Sequence, residues 1–327
     1  MRVLVTGASG FVGSHAVTAL REAGHEPVPF VRNPEKARRV LGDLPVARGD
    51  IRDARAVRKA LDGCDAVLHA AADLGVTGHA ADLDGANVIG LENVLGQAVE
   101  LGCDPVVHVS TVAVFVPPSE PTITTESPLA SPKNGYGRSK VTGERYARGL
   151  GGVTIVYPGG VVGPGQPTLD ALNEGFRSGL KQGWPLVPGG VCVLDVRDLA
   201  EALARCFEPG RGARRYLLGG NFLTWAQVAA LCEEVTRRKV RTFPLPAGLL
   251  RGFGATLDAL KKVVRVEYPL TRDAADFMLT MVPTDDTVTK DDLGITLRPV
   301  KDTVSDTLRW LAAEGHLDAA RIGRLSS

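Results

Sequence analysis

Through the first half of the chain, short apolar runs alternate with longer segments whose apolar positions recur at helical spacing, which reads as strands and helices taken in turn. Val3-Leu4-Val5 reads as a buried strand and Val12 to Ala23 as the helix that follows it. Further strands are predicted at Pro27 to Val31, Val46-Ala47, Ala66 to His69, Val106 to Val109 and Val153 to Tyr157, with helices over Ala86 to Leu101 and Gly137 to Leu150. This alternation predicts an α/β fold built on a doubly wound parallel sheet. From Gly159 the texture changes to Gly and Pro, through Gly163-Pro164-Gly165-Gln166-Pro167, which marks an exit into a second region.

Thr6-Gly7-Ala8-Ser9-Gly10-Phe11-Val12-Gly13 falls in the first strand–helix turn. There Gly7 permits the bend, Gly10 lets backbone approach a pyrophosphate, and Gly13 lets the helix pack on the strand with its N-terminus aimed at the anion. The second distinctive stretch is Tyr136-Gly137-Arg138-Ser139-Lys140. Residues four apart share a helix face, so Lys140 comes beside Tyr136. Taken singly, a glycine turn is a tight loop and a Tyr-Lys pair is a common accident of helical spacing. Their order changes the reading, because the pair follows the strand Val106 to Val109, which runs into Ser110-Thr111.

Composition narrows the picture. The formal net charge is +1 with no long block of one sign, which argues against nucleic acid and anionic membrane as main partners. No apolar run approaches the length of a membrane span, and the first residues already read as a core strand, so a cytoplasmic protein without a signal peptide is expected. Cys64, Cys103, Cys192, Cys206 and Cys232 are scattered without C-x-x-C spacing and read as small apolar side chains, with no metal site expected. His69 and His108 lie in apolar strands and read as hydrogen-bonded core residues.

With these motifs in this order the chain resembles the extended short-chain dehydrogenase/reductases over nearly its whole length, and among them the dihydroflavonol-reductase-like carbonyl reductases. The resemblance implies a Rossmann-type dinucleotide domain over 1–165, rejoined by 195–220, with Asp195 to Phe207 as a helix and Arg214 to Leu218 as a strand. Residues 166–194 and 221–327 would form a smaller, mostly helical substrate lobe. Thr287-Val288-Thr289-Lys290-Asp291-Asp292-Leu293-Gly294 resembles the family's closing motif before a last helix, Val304 to Ala313. A homodimer is compatible with the resemblance.

The same resemblance assigns site residues. Gly7, Gly10, Phe11 and Val12 would hold the pyrophosphate. Val31 stands where an acidic residue would accept the ribose hydroxyls of NAD, followed by Arg32 and, one turn into the next helix, Lys36, so NADP(H) is favoured and NAD(H) is the alternative. A solvated Arg32 at a strand end is the competing reading. Asp50-Ile51 resembles the adenine-contacting pair, Ala70-Ala71-Ala72 the small-residue strip under the cofactor, and Pro158-Gly159 a further cofactor contact. Asn87 matches a helix asparagine near the cofactor, against the alternative of a polar residue on a solvated face. Hydride addition to a carbonyl leaves charge on oxygen, so a proton donor and an orienting hydroxyl are needed. Those would be Tyr136 and Thr111, with Lys140 lowering the phenol's pKa and holding the nicotinamide ribose.

Substrate class follows from departures within the family. Dehydratases carry Asp-Glu after the strand-end hydroxyl, where this chain has Val112-Ala113. Sugar-nucleotide enzymes carry a diphosphate-binding Asn where Tyr157-Pro158-Gly159-Gly160-Val161-Val162-Gly163-Pro164 has Gly160. Val112, Gly160 and Val161 are therefore the expected substrate contacts. Leu245 to Val266 and Phe277 to Val282 supply apolar residues that suit an apolar ketone or aldehyde, ordinary core packing, or an amphipathic helix on a membrane or subunit. The expected activity is NADP(H)-dependent carbonyl reduction. A sugar-nucleotide epimerase or dehydrogenase with bound NAD, its diphosphate held by residues such as Arg251 or Arg265, and a non-catalytic dinucleotide sensor are the alternatives.

Overall fold

The computed structural model describes residues 1–73, 83–132, 135–209, 212–261 and 272–326. Strands, in chain order, are β1 (Arg2–Thr6), β2 (Glu26–Val31), β3 (Ala47–Arg48), β4 (Ala66–His69), β5 (Val106–Val109), β6 (Val153–Pro158), β7 (Gly160–Val162), β8 (Trp184–Leu186), β9 (Gly190–Asp195), β10 (Arg215–Leu218), β11 (Asn221–Thr224) and β12 (Thr242–Pro244). Helices are α1 (Phe11–Glu22), α2 (Pro34–Leu41), α3 (Ala54–Leu61), α4 (Gly90–Glu100), α5 (Gly135–Leu150), α6 (Ala171–Gln182), α7 (Val196–Arg205), α8 (Trp225–Thr236), α9 (Ala247–Lys261), α10 (Arg272–Thr280), α11 (Thr287–Leu293), α12 (Val300–Ala313) and α13 (Ala319–Ile322).

Among the described residues, seven strands form a parallel sheet in the order β10-β6-β5-β4-β1-β2-β3. Strand alternation sends successive side chains to opposite faces. Leu4, Val67, Val106 and Ile155 meet Leu91, Leu95 and Val141 of α4 and α5 on one face. Val3, Val5, Leu68 and Val156 meet Val17 and Leu20 of α1 and Leu199 and Leu203 of α7 on the other. Both faces are covered, which is why these strands are apolar along their length. The strand order reverses between β1 and β4, and in open parallel sheets the crevice at that point, beyond the strand C-termini, is where ligands bind.

The return to the sheet is visible in α7, which packs on α1, and in β10, which pairs with β6. Asp195 ends β9 and caps α7, its carboxylate accepting from the Arg197 amide at 2.9 Å, so the helix begins one residue later than the sequence pattern predicts. The second region contains more strand than expected. β11, β9 and β7 form one small sheet and β12 pairs with β8 in another. Their core holds Phe176, Trp184 and Trp225, the two indoles stacked with centroids 6.1 Å apart, together with Val304 and Leu308 of α12. That last helix starts at Val300, directly after Pro299, rather than at Val304. Proline fixes φ and cannot donate into the first turn, so the helix starts immediately behind it.

Asp286 ties the C-terminal segment to the sheet. Its buried carboxylate accepts from the backbone amides of Gly219 at 3.0 Å and Gly220 at 2.7 Å, at the turn after β10. Asp286→Ala leaves both donors without their acceptor, at a cost of about 2–4 kcal/mol. Urea unfolding of the variant should show that loss with an unchanged slope, and a change below about 0.5 kcal/mol would mean that water replaces the carboxylate.

Candidate active site

The turn between β1 and α1 is held by contact rather than by side-chain hydrogen bonds. Gly7 has φ +70°, and a Cβ there would lie 2.7 Å from the Ala70 carbonyl carbon and the Ala71 nitrogen. A Cβ on Gly13 would stand 2.2 Å from the Gly7 carbonyl oxygen, so α1 packs directly onto the turn. Gly10 is the N-cap of α1 and offers no side-chain acceptor, whereas α2, α3, α6, α7 and α8 each have a capping side chain. The first amides of this 12-residue helix are thus left for an anion, and the geometry fits a pyrophosphate. Phe11 and Val12 supply those first amides.

At the adjoining edge of the sheet, Val31 is buried while Arg32 and Lys36 are exposed. Among the described residues neither cationic head has a hydrogen-bond or ion-pair partner. The Asp50 carboxylate, expected to face adenine, is gripped by Arg52 through its amide at 2.9 Å and its guanidinium at 2.7 Å, and that hydrogen bonding holds it below the usual carboxylate range, with help from Arg32. Ile51 packs onto α4, where a Cβ on Gly90 would lie 2.5 Å from its Cδ1, and Asn93 donates to its carbonyl at 2.9 Å. Ala70 and Ala71 lie against the Gly7 turn and Ala72 is exposed.

Asn87 is neither solvated nor free. It sits in a π-helical turn, Gly85–Ile89, that opens the helix expected to run unbroken from Ala86 to Leu101. Its amide nitrogen donates to the Asp73 carbonyl at 2.9 Å and to the Ser139 hydroxyl at 3.1 Å, and its oxygen accepts from the Asp73 amide at 2.8 Å. The side chain therefore pins the chain beyond β4 to α5. A π-turn widens the helix locally and often marks a functional position.

Tyr136 and Lys140 stand one turn apart on α5. Burial pushes the Tyr136 phenol up to about 12, with the Thr111 side chain opposing. The lowering expected from Lys140 is not found: the phenol is raised, and the group that opposes burial is Thr111. Thr111 itself caps a short turn, Val112 to Phe115, accepting from the Ala113 amide at 3.2 Å. Lys140 is 5% exposed, and burial draws its ammonium down to about 8 while Glu144 holds it up. Beneath it lie His69 and His108, paired across β4 and β5 with ring centroids 5.4 Å apart. Burial, and then the Lys140 charge, lowers His69 to about 3 and His108 well below its usual value, so both rings are neutral at pH 7. The Thr6 hydroxyl hydrogen-bonds His69 Nδ1 at 2.8 Å, as expected of a core histidine, whereas His108 is equally buried but its Nδ1 has no hydrogen-bond partner among the described residues.

The expected substrate contacts are crowded. A Cβ on Gly160 would lie 2.6 Å from a Leu172 methyl and 2.8 Å from the Cys192 carbonyl oxygen, and one on Gly159 would lie 2.1 Å from the Gly219 carbonyl oxygen. Pro158, the last residue of β6, pairs with Leu218 of β10. Val112 is buried in the main core and Val161 packs against the core on the opposite face. Met281 is likewise core, and the Met278 carbonyl accepts from the Trp225 indole at 3.1 Å. On α9, Leu250 and Leu257 are buried while Leu249 and Phe253 are exposed. Arg251 is paired with Asp276 at 2.6 Å; Arg265 and the stretch 262–266 lie outside the described residues. Among the described residues no helix is long and apolar enough to cross a membrane and no group of His, Cys, Asp or Glu could hold a metal.

The sequence pattern gave no role to Glu144, yet it is fully buried and accepts from Ser110 at 2.7 Å and Arg148 at 2.7 Å, and from the Tyr157 hydroxyl. A readable signal was present: a carboxylate on the buried stripe of α5, four residues after Lys140.

Residues 3–219 match the model of the family described as NAD dependent epimerase/dehydratase. Sterol demethylase protein B of Methylococcus capsulatus is 31% identical over 80% of this chain and 83% of its own. Cinnamoyl-CoA reductase 1 of Petunia hybrida is 28% identical over 96% and 93%. The crystal structure of gox2253 superposes with a TM-score of 0.80 at 26% identity, covering 97% of this chain and 99% of that one.

Asn87→Ala removes three hydrogen bonds and leaves the part-buried Asp73 amide without this acceptor, so a stability loss of about 1–3 kcal/mol is expected in urea unfolding. A loss below about 0.5 kcal/mol would contradict the pinning role.

Proposed function

Because the chain belongs to the NAD dependent epimerase/dehydratase family, we propose that it is an NADP(H)-dependent reductase of apolar ketones or aldehydes. The observation that carries the reading is a buried Tyr136 phenol acted on by the Thr111 side chain, one helical turn from a buried, charged Lys140. Such a set serves proton delivery to an oxygen that gains charge, and a protein that only sensed dinucleotides would have no use for it.

Gly7, Gly10, Phe11 and Val12 hold the pyrophosphate on α1, and the unpaired Arg32 and Lys36 meet the 2′-phosphate. Asp50 and Ile51 flank the adenine, Ala70 to Ala72 and Pro158-Gly159 border the cofactor path, and Asn87 fixes the loop beside it. A bound reduced nicotinamide supplies hydride to the carbonyl carbon. Thr111 Oγ1 orients the carbonyl oxygen, and Tyr136 Oη, a neutral phenol at pH 7, gives its proton to that oxygen. Lys140 holds the nicotinamide ribose and favours the phenolate that results.

Gly160 bears on substrate class. The packing of Leu172 and Cys192 around it leaves no room for a diphosphate-binding side chain at that position, and Val112-Ala113 offer no carboxylates for eliminating water. A relative named for a sterol also supports an apolar substrate, whereas one named UDP-glucose 4-epimerase supports the sugar-nucleotide alternative. Pairing of Arg251 with Asp276 weakens its candidacy as a substitute diphosphate site.

Tyr136→Phe keeps the ring and removes the proton, so reduction of any accepted ketone should fall by at least about two orders of magnitude with NADPH affinity nearly unchanged. Retained turnover would refute the assignment. NADPH should bind more tightly than NADH, and Arg32→Ala should narrow the gap by roughly 1.5–3 kcal/mol in parallel titrations. Equal wild-type affinities would mean that Arg32 points into solvent.

A further inference from the structure

Lys140 is a buried ammonium, and its neighbours from the sheet offer it no negative charge. His69 of β4 and His108 of β5 are neutral, and Tyr136, one turn before it, is a phenol. Glu144, one turn after it, is the carboxylate that acts on Lys140, and it is 0% exposed. Three donors converge on it: Ser110 Oγ, directly after β5, at 2.7 Å, Tyr157 Oη of β6, and Arg148 Nε of α5 itself at 2.7 Å. Arg148 also donates to Tyr157 at 3.1 Å and lies over the Phe115 ring, 6.0 Å from its centroid. One carboxylate therefore serves two cations and ties α5 to the ends of the strands that precede Thr111 and Gly159.

We propose that Glu144 is a positioning residue for Lys140, its buried carboxylate keeping the ammonium charged for the nucleotide while its hydrogen bonds hold α5 in register with Thr111. The assignment rests on the reading of Lys140 as a nucleotide contact. Opposite charges four residues apart on a helix act weakly on one another at the surface, and Glu144 is directly paired with Arg148 rather than with Lys140. In the interior the sign of the argument changes, because a lysine buried without a counter-charge loses its proton. Burial already draws Lys140 down to about 8, and removing the carboxylate removes what opposes that fall. Lys140 then turns neutral within the ordinary working range of pH.

The test is the pH dependence of NADPH affinity, followed by protein fluorescence from about pH 6 to about pH 9 and paired with kcat and KM for an accepted ketone. Wild-type affinity should weaken as pH rises through about 8. Glu144→Gln keeps the shape and an acceptor but removes the charge, so this limb should move down by about one pH unit, weakening binding roughly fivefold at the wild-type midpoint. Glu144→Asp should restore most of the limb. Tyr157→Phe loosens the same network but leaves the carboxylate, so its limb should stay at the wild-type position. A Glu144→Gln limb superimposable on the wild type, or a Tyr157→Phe limb displaced equally, overturns the proposal. If Glu144→Gln does not fold, Glu144→Asp decides: its shorter side chain draws the charge back, and a limb that does not move at all counts against the proposal. Because the limb is read in nucleotide binding, absence of ketone reduction in the wild type counts against the reductase reading alone.

Discussion

The candidate site depends on a charge buried where the helix carrying Tyr136 meets the sheet. A fully buried carboxylate is costly unless its lone pairs are used, and Glu144 uses its own on donors from Ser110 at the end of β5, from β6 and from α5. That requirement fixes how α5 lies across the strand ends. With α5 fixed, Tyr136 reaches Thr111 and Lys140 reaches the space above His69 and His108. The same helix face is joined to the chain beyond β4 by the Asn87 amide through Ser139. Proton delivery and nucleotide contact would therefore be set by one polar layer between sheet and helix.

The opposite side of the crevice is built by close approach. Gly7 lies against Ala70-Ala71, and α1 lies against Gly7, so a methyl group at either glycine would collide with backbone. Backbone contacts of this kind cannot relax as a flexible side chain would. The turn is rigid, and the uncapped N-terminus of α1 is held at a fixed place beside the strand ends.

Much of the fold was legible in the sequence because the central strands are covered on both faces. Val3-Leu4-Val5 and Val106-Val107 are apolar in succession for that reason, and no other element type explains so short a run bounded by turns. β7, β8 and β11 were not legible: three or four residues paired across long stretches of chain leave almost no local signal. The glycine turn and the Tyr-Lys pair were readable because their spacing is local. Glu144 was readable only as a carboxylate on the buried stripe of α5, and Asp286 not at all, because their partners are donors far away in sequence, such as Ser110 and Gly219. The π-turn at Asn87 was hidden likewise, since the partners of its side chain, Asp73 and Ser139, are distant in sequence.

The central claim is that this site moves hydride from a reduced nicotinamide to an external carbonyl. The most direct measurement is a single turnover with NADPH deuterated at C4 of the nicotinamide, enzyme in excess over an apolar ketone, and mass analysis of the product. The account requires deuterium on the carbinol carbon, in step with loss of reduced-nicotinamide absorbance. Absence of deuterium from every ketone tried, together with epimerisation of a nucleotide sugar at constant absorbance, would contradict it.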